Sequence, residues 1–399
     1  MIVLVINCGS SSFKYQLIEM KSRTVMCSGL VERIGEPMGS LTHKAGQRKF
    51  TEERPFADHT AGMTRVMSLL ADATLGVIKD LSEICACGHR VVQGGEVFPE
   101  SCKVGPRELV GISDLAPLAP LHNPAHVEGI EVVMKLLPHA PSVAVFDTEF
   151  HTTMAPSAFM YPLPYELYEI HRVRRYGAHG TSHRYVAHEA AKFLGRSNEG
   201  FNVITCHLGN GSSITAVKDG KCVDTSMGMT PLAGVMMGTR CGDIDPAIHD
   251  YLGRNTGMDL ASINTMLNRQ SGLKGISGTG DMRDVHAARA KGDEKAQLAF
   301  DMLCHTIRKY VGAYYAVLGR VDALVFTAGI GENDDMTRAA VCANLENLGI
   351  VIDAEKNATR SGEARSISPE GTKVPVLVIP TNEELAIAES TVRVLQAKK

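Results

Sequence analysis

Residues Val203–Ala216 read VITCHLGNGSSITA, and Val3–Lys14 read VLVINCGSSSFK. Each is a β-rich apolar run, a turn of glycine and serine, and a second extended run. Aligning Gly9-Ser10-Ser11 with Gly211-Ser212-Ser213 makes them two copies of one strand–turn–strand unit. Gly-Ser turns are common hairpin chemistry, so the match also fits two unrelated hairpins. The functional reading is that glycine lets a ligand approach the backbone, while N–H groups and hydroxyls form an anion cradle. Two cradles about 200 residues apart point to a duplicated domain that grips a phosphate chain from two sides.

Working outward, short apolar runs at Ile2–Ile6, Val143–Phe146, Val203–Thr205, Ala323–Phe326 and Val376–Ile379 predict strands. Ser182–Leu194 carries Tyr185, Val186, Ala190, Phe193 and Leu194 on one face and stops at Gly195, which predicts a helix. Phe300–Leu318 repeats apolar residues at helical spacing. The alternation predicts an α/β protein. A third glycine turn, Thr327–Asn333, follows the strand at Ala323–Phe326, and Leu115–Pro124 reads as a rigid, ordered loop. No Walker A sequence and no G-x-G-x-x-G is present, which excludes those phosphate fingerprints but not binding through hairpins.

The chain has 399 residues, enough for two or three domains at roughly 150 residues each. Hydrophobic residues make up 44% and charged residues 21%, which excludes global disorder. The net charge of −3 argues against a broad nucleic-acid surface, and aromatic content of 5% without Trp argues against base stacking. Any anionic ligand must be met by local cations. No apolar stretch approaches the roughly 18–20 residues of a membrane span, and Ile2–Ile6 is too short for a secretory core. The ten cysteines are scattered without a CxxC pair, which fits reduced, cytoplasmic thiols.

Cations stand among glycines in three places. Arg90 lies in Gly88–Gly95, Arg240 in Met237–Asp243, and His179 in Arg174–His183. Arginine's planar fork suits carboxylate or phosphoryl oxygens, and bare backbone leaves room for them. His179 also fits a structural hydrogen-bonding role. Asp147 follows a strand directly, where α/β sheets open onto ligands, although a turn cap has the same pattern. Thr381 and Glu384 fit a capping box, which leaves Glu383 in the first helical turn to reach a Mg²⁺ or its waters. Asp243 and Asp245 read as caps or as partners of Arg240.

The ordered stretches Asn7–Ser12, Gly88–Arg90, Leu118–Pro124, Val145–Thr148, Arg174–His183, His207–Gly211, Asp224–Pro231, Met237–Asp243, Gly329–Asn333 and Pro380–Glu384 are similar to those of the acetate and propionate kinase family. The resemblance covers nearly the whole chain. It implies the architecture of the acetate and sugar kinase/Hsc70/actin superfamily: two duplicated RNase H-like domains of actin/hexokinase type flanking an ATP cleft. The first would span 1–149 and be completed by a C-terminal helix, 382–399; the second would span 150–381 and carry the ATP loops and a homodimer interface. The implied reaction is transfer of phosphoryl from ATP to acetate, giving ADP and acetyl phosphate. Asn7 and Glu383 would hold Mg²⁺, with Mn²⁺ a possible substitute, and Lys14 would meet ATP phosphates. Arg90 and Arg240 would bind the carboxylate and the transferring phosphoryl group, His179 would stabilise that group, and Asp147 is the family's proton donor or acceptor. His207, Leu208, Gly209, Asn210 and Gly211 would line the ATP site with Asp281, Met282 and Arg283 and with Gly329, Ile330, Gly331, Glu332 and Asn333. Val92, Leu121 and Pro231 would enclose the methyl group. Ala178 and Ala328 stand where other members carry Phe or Gly.

An acid of pKa about 4–5 is already ionised at neutral pH, so the attacking acetate needs no base. Asp147 is therefore expected to orient an arginine or a metal-bound water. Rival readings are a chaperone-type ATPase switch, a sugar kinase with Asp147 as base, and a nucleotide-binding protein without turnover.

Overall fold

The computed structural model describes residues 1–120 and 122–397. They divide into two compact units: Met1–Glu149 with the chain from Asn382 on, and Phe150–Thr381. The first unit has strands β1 (Ile2–Cys8), β2 (Ser12–Glu19), β3 (Thr24–Glu32), β4 (Gly39–Ala45), β5 (Arg48–Arg54), β6 (Ile84–Val91), β7 (Cys102–Lys103) and β8 (Ser142–Phe146), in the order β5-β4-β3-β2-β1-β6-β8-β7. The second has β9 (Asn202–Leu208), β10 (Ser212–Lys218), β11 (Lys221–Thr225), β12 (Ala323–Thr327), β13 (Arg365–Ser366) and β14 (Val376–Val378), in the order β11-β10-β9-β12-β14-β13.

Without their edge additions the sheets are the same object. Each is an antiparallel meander, β3-β2-β1 or β11-β10-β9, whose first strand pairs in parallel with a fourth and then a fifth strand. This is the RNase H-like order, present twice. The hairpin alignment read from sequence needs correction. Cys8 pairs with Phe13 and Leu208 with Ser212, so the turn at Gly9–Ser12 corresponds to Gly209–Gly211. Ser212 and Ser213 already belong to β10. Matching Gly9 to Gly211 slips the first strand by two residues, which returns its side chains to their own faces, and the second strand by three, because the first turn is one residue longer.

Strand alternation decides what each face meets. In the first unit Val3, Val5, Val143 and Val145 lie under Ile387 and Ala388 of the C-terminal helix Glu383–Gln396. Leu4, Ile6 and Leu17 face the opposite way, against Met63 and Val66 of helix His59–Leu70 and Val133 of helix Asn123–Leu136. In the second unit Val203, Val217 and Val325 lie under Val186 and Ala190 of helix Gly180–Phe193. Ile204, Cys206 and Phe326 face Leu303 and Ile307 of helix Glu294–Leu318.

Three local expectations change. The long helix begins at Glu294, ahead of its apolar stripe, because the Asp293 carboxylate caps Lys295 and Ala296. Thr327–Asn333 is not an open turn, since a helix, Ala328–Asn333, starts directly after β12. The C-terminal helix is capped by Asn382, whose side chain accepts from Leu385 N at 3.0 Å, while the Thr381 hydroxyl bonds Ser182 Oγ at 2.8 Å. The Thr381/Glu384 capping box does not form. Lys398 and Lys399, expected at the end of this helix, lie outside the described residues.

None of the ten cysteines is in a disulfide, and Cys85 is exposed. Burial pushes the Cys87 thiol up to about 12, and raises Cys8 and Cys342 in the same way. Among the described residues no helix is long and apolar enough to cross a membrane.

Gly88 of β6 sets how closely the C-terminal helix sits. A Cβ there would lie 2.4 Å from Thr391 Oγ1 and 2.9 Å from Ile387 Cγ2. Gly88→Ala should therefore destabilise the protein by about 1–3 kcal/mol, the usual cost of overpacking. The check is the urea midpoint, with Gly362→Ala as control, because a Cβ at Gly362 meets open space.

Candidate active site

The same alternation brings together the candidate residues of the first unit. Asn7 and Lys14 sit directly opposite each other in the β1–β2 pair. Asn7 shares the face of Val3 and Val5, Lys14 that of Ile18, and Arg90 that of Ala86, all covered by the C-terminal helix. Asp147, one residue past β8, continues the Val143–Val145 face. The helix that covers this face begins with Glu383.

Arg90 and Asp147 form a two-pronged bond: Nε donates to Oδ1 at 3.0 Å and Nη2 to Oδ2 at 2.6 Å. Asp147 is 1% exposed, and its backbone N–H donates to Val91 O at 2.9 Å. Burial opposes the charge on Arg90, but Asp147 beside it, with Glu383 and Glu384 behind, outweighs burial and raises its pKa. Glu383 has the reverse balance. Burial lifts its carboxyl above the ordinary range, aided by Asp147, while Arg90 and Lys14 pull it back only in part. Its Oε1 is buried without a hydrogen-bond partner. A buried carboxylate oxygen facing no donor suits a cation or a cation's water. Among the described residues no three His, Cys, Asp or Glu side chains form a metal cage. A divalent ion here must take its other ligands from phosphates and water, as Mg²⁺ commonly does. Lys14 and Glu384 also line an open groove of about 460 Å³ with Lys44 and Lys49.

Val92 is buried in the loop after β6. Asn123 pins that loop: its Nδ2 donates to Gln93 O at 3.0 Å and its Oδ1 accepts from Gln93 N at 3.3 Å. Gly94 N donates to Thr148 Oγ1 at 3.1 Å, which ties the loop to the one after β8. Leu121 lies outside the described residues.

The second unit gathers candidate residues of its own. His179 precedes helix Gly180–Phe193 with φ of 57°, a left-handed conformation that costs a non-glycine residue about 1–2 kcal/mol. Its Nδ1 lies 2.8 Å from Ser213 Oγ, and its ring stacks on His207 with centroids 4.2 Å apart. His207 Nδ1 bonds Ser182 Oγ at 2.8 Å. A Cβ on Gly211 would stand 3.3 Å from Arg240 Nη1 and 3.6 Å from His179 Nε2, so a guanidinium and an imidazole converge over bare backbone. Pro231 contributes its carbonyl, which accepts from Arg240 Nη1 at 3.3 Å. Burial lowers the pKa of Arg240. Asp243 and Asp245 do not pair with Arg240. Asp243 accepts from Gly234 N and Tyr310 OH, and Asp245 from Ala247 N.

The expected ATP loops divide by what their side chains do. Leu208 and Met282 point into the core, so only their backbone is available to a nucleotide. Asp281 caps helix Met282–Arg289 and pairs with the exposed Arg283 at 2.5 Å. Asn210 lies against Gly238, where a Cβ would meet its Oδ1 at 2.1 Å. Glu332 Oε1 accepts from Ala328 N at 2.8 Å and Thr381 N at 3.1 Å, and Asn333 Nδ2 donates to Gly329 O at 2.9 Å. Gly329 meets nothing within 4 Å of its Cβ position, whereas Ile330 packs on the core beside Gly331. Ala328 holds φ of 65°, a conformation in which glycine is at ease.

Residues 2–389 match the acetokinase family. An acetate kinase of Nitratidesulfovibrio vulgaris is 59% identical over 399 residues, 99% of each chain. The chain belongs to the acetokinase family. Among solved structures, acetate kinase from Porphyromonas gingivalis is similar with a TM-score of 0.95 at 45% identity, covering 99% of this chain and all of that one. A propionate kinase from Francisella tularensis gives 0.92 at 44% identity, covering 98% and 99%. The fold is thus the actin-like architecture of acetokinases, built from the two RNase H-like sheets.

Sequence reasoning passed over Asn123, Ser182, His183 and Ser213 as functional groups. Each stood inside a quoted stretch, but its partner lies far away in the chain, and spacing alone does not reveal it.

The Glu383 environment yields a pH-dependent expectation. Its folded pKa is raised, so the ionised form costs the ligand-free protein stability; that cost begins as pH rises past the unfolded carboxyl pKa and is complete above the folded one. Glu383→Gln should raise the urea midpoint of ligand-free protein at pH 7, with the gain vanishing toward about pH 4–5, where carboxyls protonate. The same variant should need Mg²⁺ at concentrations higher by at least about 10–100-fold, the loss typical of outer-shell partners alone.

Proposed function

We propose that this chain is a Mg²⁺-dependent kinase that reversibly transfers the γ-phosphoryl group of ATP to acetate, giving ADP and acetyl phosphate. The Arg90–Asp147 fork carries the reading. Asp147 accepts from Nε and Nη2, which leaves Nη1 of Arg90 as the donor for an incoming carboxylate. A carboxylate acceptor is already ionised, so the reaction calls for an arginine held in place and not for a base. A hydroxyl acceptor, as in a sugar kinase, would need Asp147 for proton removal, and both its oxygens are engaged by Arg90.

In this mechanism an acetate oxygen attacks the γ-phosphorus in line, the bond to the bridging oxygen breaks, and ADP leaves with the electron pair. Arg240 and His179, converging over Gly211, stabilise the charge on the transferring group. Lys14 and the backbone of His207–Gly211 and Gly329–Asn333 hold the nucleotide, with Asp281–Arg283 beside it. Asn7 and Glu383 would hold Mg²⁺, which would supply neutralisation of phosphate charge. Val92, Leu121 and Pro231 bound the methyl group. Asp147 acts by orienting Arg90. We further propose a cytoplasmic homodimer joined through the second unit, where Leu163, Tyr165 and Ile170 are 53%, 62% and 70% exposed.

Hydroxylamine trapping tests the reaction: acetate and MgATP should yield acetyl hydroxamate and glucose should yield no product. ATP hydrolysis without acyl phosphate would sink the reading. Arg240→Ala should cost on the order of 10³–10⁵ in kcat, by analogy with arginine fingers. An apolar pocket discriminates one methylene by only ~1–3 kcal/mol, so propionate should react about 10–200-fold less efficiently in kcat/KM and not be excluded. Asp147→Asn should lower kcat while leaving the acid limb of the pH profile in place. A shifted limb would restore a proton-transfer role.

A further inference from the structure

Two segments assigned to the nucleotide, Asp281–Arg283 and Gly329–Asn333, lie close to one contact in the second unit. Asp334 follows Asn333 directly, and His286 stands four residues after Met282, one turn along helix Met282–Arg289. His286 Nε2 lies 2.8 Å from Asp334 Oδ2. Among the described residues no other hydrogen bond joins that helix to Ala328–Cys342.

The direction of donation is fixed by a neighbour. A guanidinium has no lone pair, so Arg289 Nη1 donates to His286 Nδ1, at 2.8 Å. Nδ1 therefore accepts, the ring hydrogen sits on Nε2, and Nε2 donates to Asp334. Arg289 is itself held on its other sides: Nε donates to Gln297 Oε1 at 2.9 Å, and the guanidinium carbon lies 3.6 Å from the centre of the Phe300 ring. The Asp334 carboxylate is anchored independently as the cap of helix Asp335–Cys342. Its Oδ1 accepts from Thr337 N at 3.1 Å and its Oδ2 from Thr337 Oγ1 at 2.6 Å. The His286 and Asp334 side chains are 15% and 11% exposed, so water competes little for the bond.

We propose that His286 and Asp334 are positioning residues whose bond sets the spacing between Asp281–Arg283 and Gly329–Asn333 and thereby the affinity for the nucleotide. This rests on the reading that both segments meet ATP. Met282 and Ile330 turn their side chains to the core, and Gly329 has none, so much of what these segments offer a ligand is backbone. Backbone cannot adjust by changing a rotamer, and a ligand that bridges two such edges is sensitive to the gap between them. Neither His286 nor Asp334 needs to touch the nucleotide for this effect.

The test measures ADP binding by calorimetry, and KM for ATP and for acetate, in wild type, His286→Phe, His286→Gln, Asp334→Asn and the double variant His286→Phe/Asp334→Asn. His286→Phe keeps a ring and removes both nitrogens. Asp334→Asn keeps a capping oxygen for Thr337 N and removes the charge. Each should raise Kd for ADP and KM for ATP by about 5–30-fold, the upper part of the range over which a network modulates a ligand it does not touch. KM for acetate, and kcat at saturating ATP, should stay within about twofold, because the loss is uniform binding of the nucleotide. Glutamine offers an acceptor to Arg289 and a donor to Asp334, so His286→Gln should bind ADP within about twofold of wild type. The double variant should bind ADP no more weakly than the worse single variant, since both substitutions remove one bond. An unchanged Kd for ADP in both single variants, losses that multiply in the double variant, or a KM for acetate that rises in step with that for ATP would overturn the proposal. Absence of ADP binding by wild type would defeat the nucleotide assignment and the proposal with it. ADP binding by wild type without acetyl hydroxamate formation would defeat the assigned reaction alone, and the ADP titrations would still decide the role of His286 and Asp334.

Discussion

A buried carboxylate is tolerable only beside an opposite charge with matching geometry, and Asp147 meets that condition through the fork of Arg90. Strand pairing makes the match possible. β6 and β8 run in parallel with Arg90 beside Val145 and Val91 beside Phe146, so the next residue, Asp147, reaches the guanidinium side-on. The two groups hold each other, and the loops after both strands are tied together through Gly94 and Thr148. Moving either strand by one residue would send one of the charges to the opposite face.

The duplicated sheets use one plan with different chemistry. In each, one face of the first strand and its hairpin partner lies beneath a helix whose first turn comes close to the turn end of the hairpin. In the first unit that region is ionic, with Lys14, Arg90, Asp147 and Glu383. In the second it is largely a network of hydroxyls and imidazoles, joined by Arg240. Ionic groups tolerate some looseness of distance, because Coulomb attraction falls slowly. A hydroxyl–imidazole chain does not, because each bond depends on where a single proton sits. The strained backbone of His179 fits that second demand, since it fixes the ring at the mouth of its helix.

Much of this was legible in the chain, and the omissions share a cause. Strand cores such as Val143–Phe146 and the first strand of each hairpin could be read from apolar runs, and Arg90, Asp147, His179 and Arg240 from their glycine-rich or post-strand settings. The meander β3–β5 could not, because its solvent-facing residues break the apolar run. The two-residue slip of the first strand in the hairpin match was invisible to alternation, and the second strand slipped by three because the two turns differ in length. Glu383 was found by elimination, but for an unneeded reason: Asn382, not Thr381, caps its helix. Asn123 and Ser213 act through partners 30 or more residues away, and only folding brings those pairs together.

The distribution of thiols sets how this protein meets oxidants and alkylating reagents. Seven of the ten sulfurs are buried in the cores of the two units, away from any reagent that requires a thiolate at the surface. Cys85 is the exposed one and opens β6, five residues before Arg90 on the same strand. At about 3.3 Å per residue it stands roughly 16 Å from the guanidinium-bearing residue. The strand thereby presents a natural attachment point for a fluorophore or spin label, fixed to the element that carries the carboxylate-binding arginine and remote enough to leave it undisturbed.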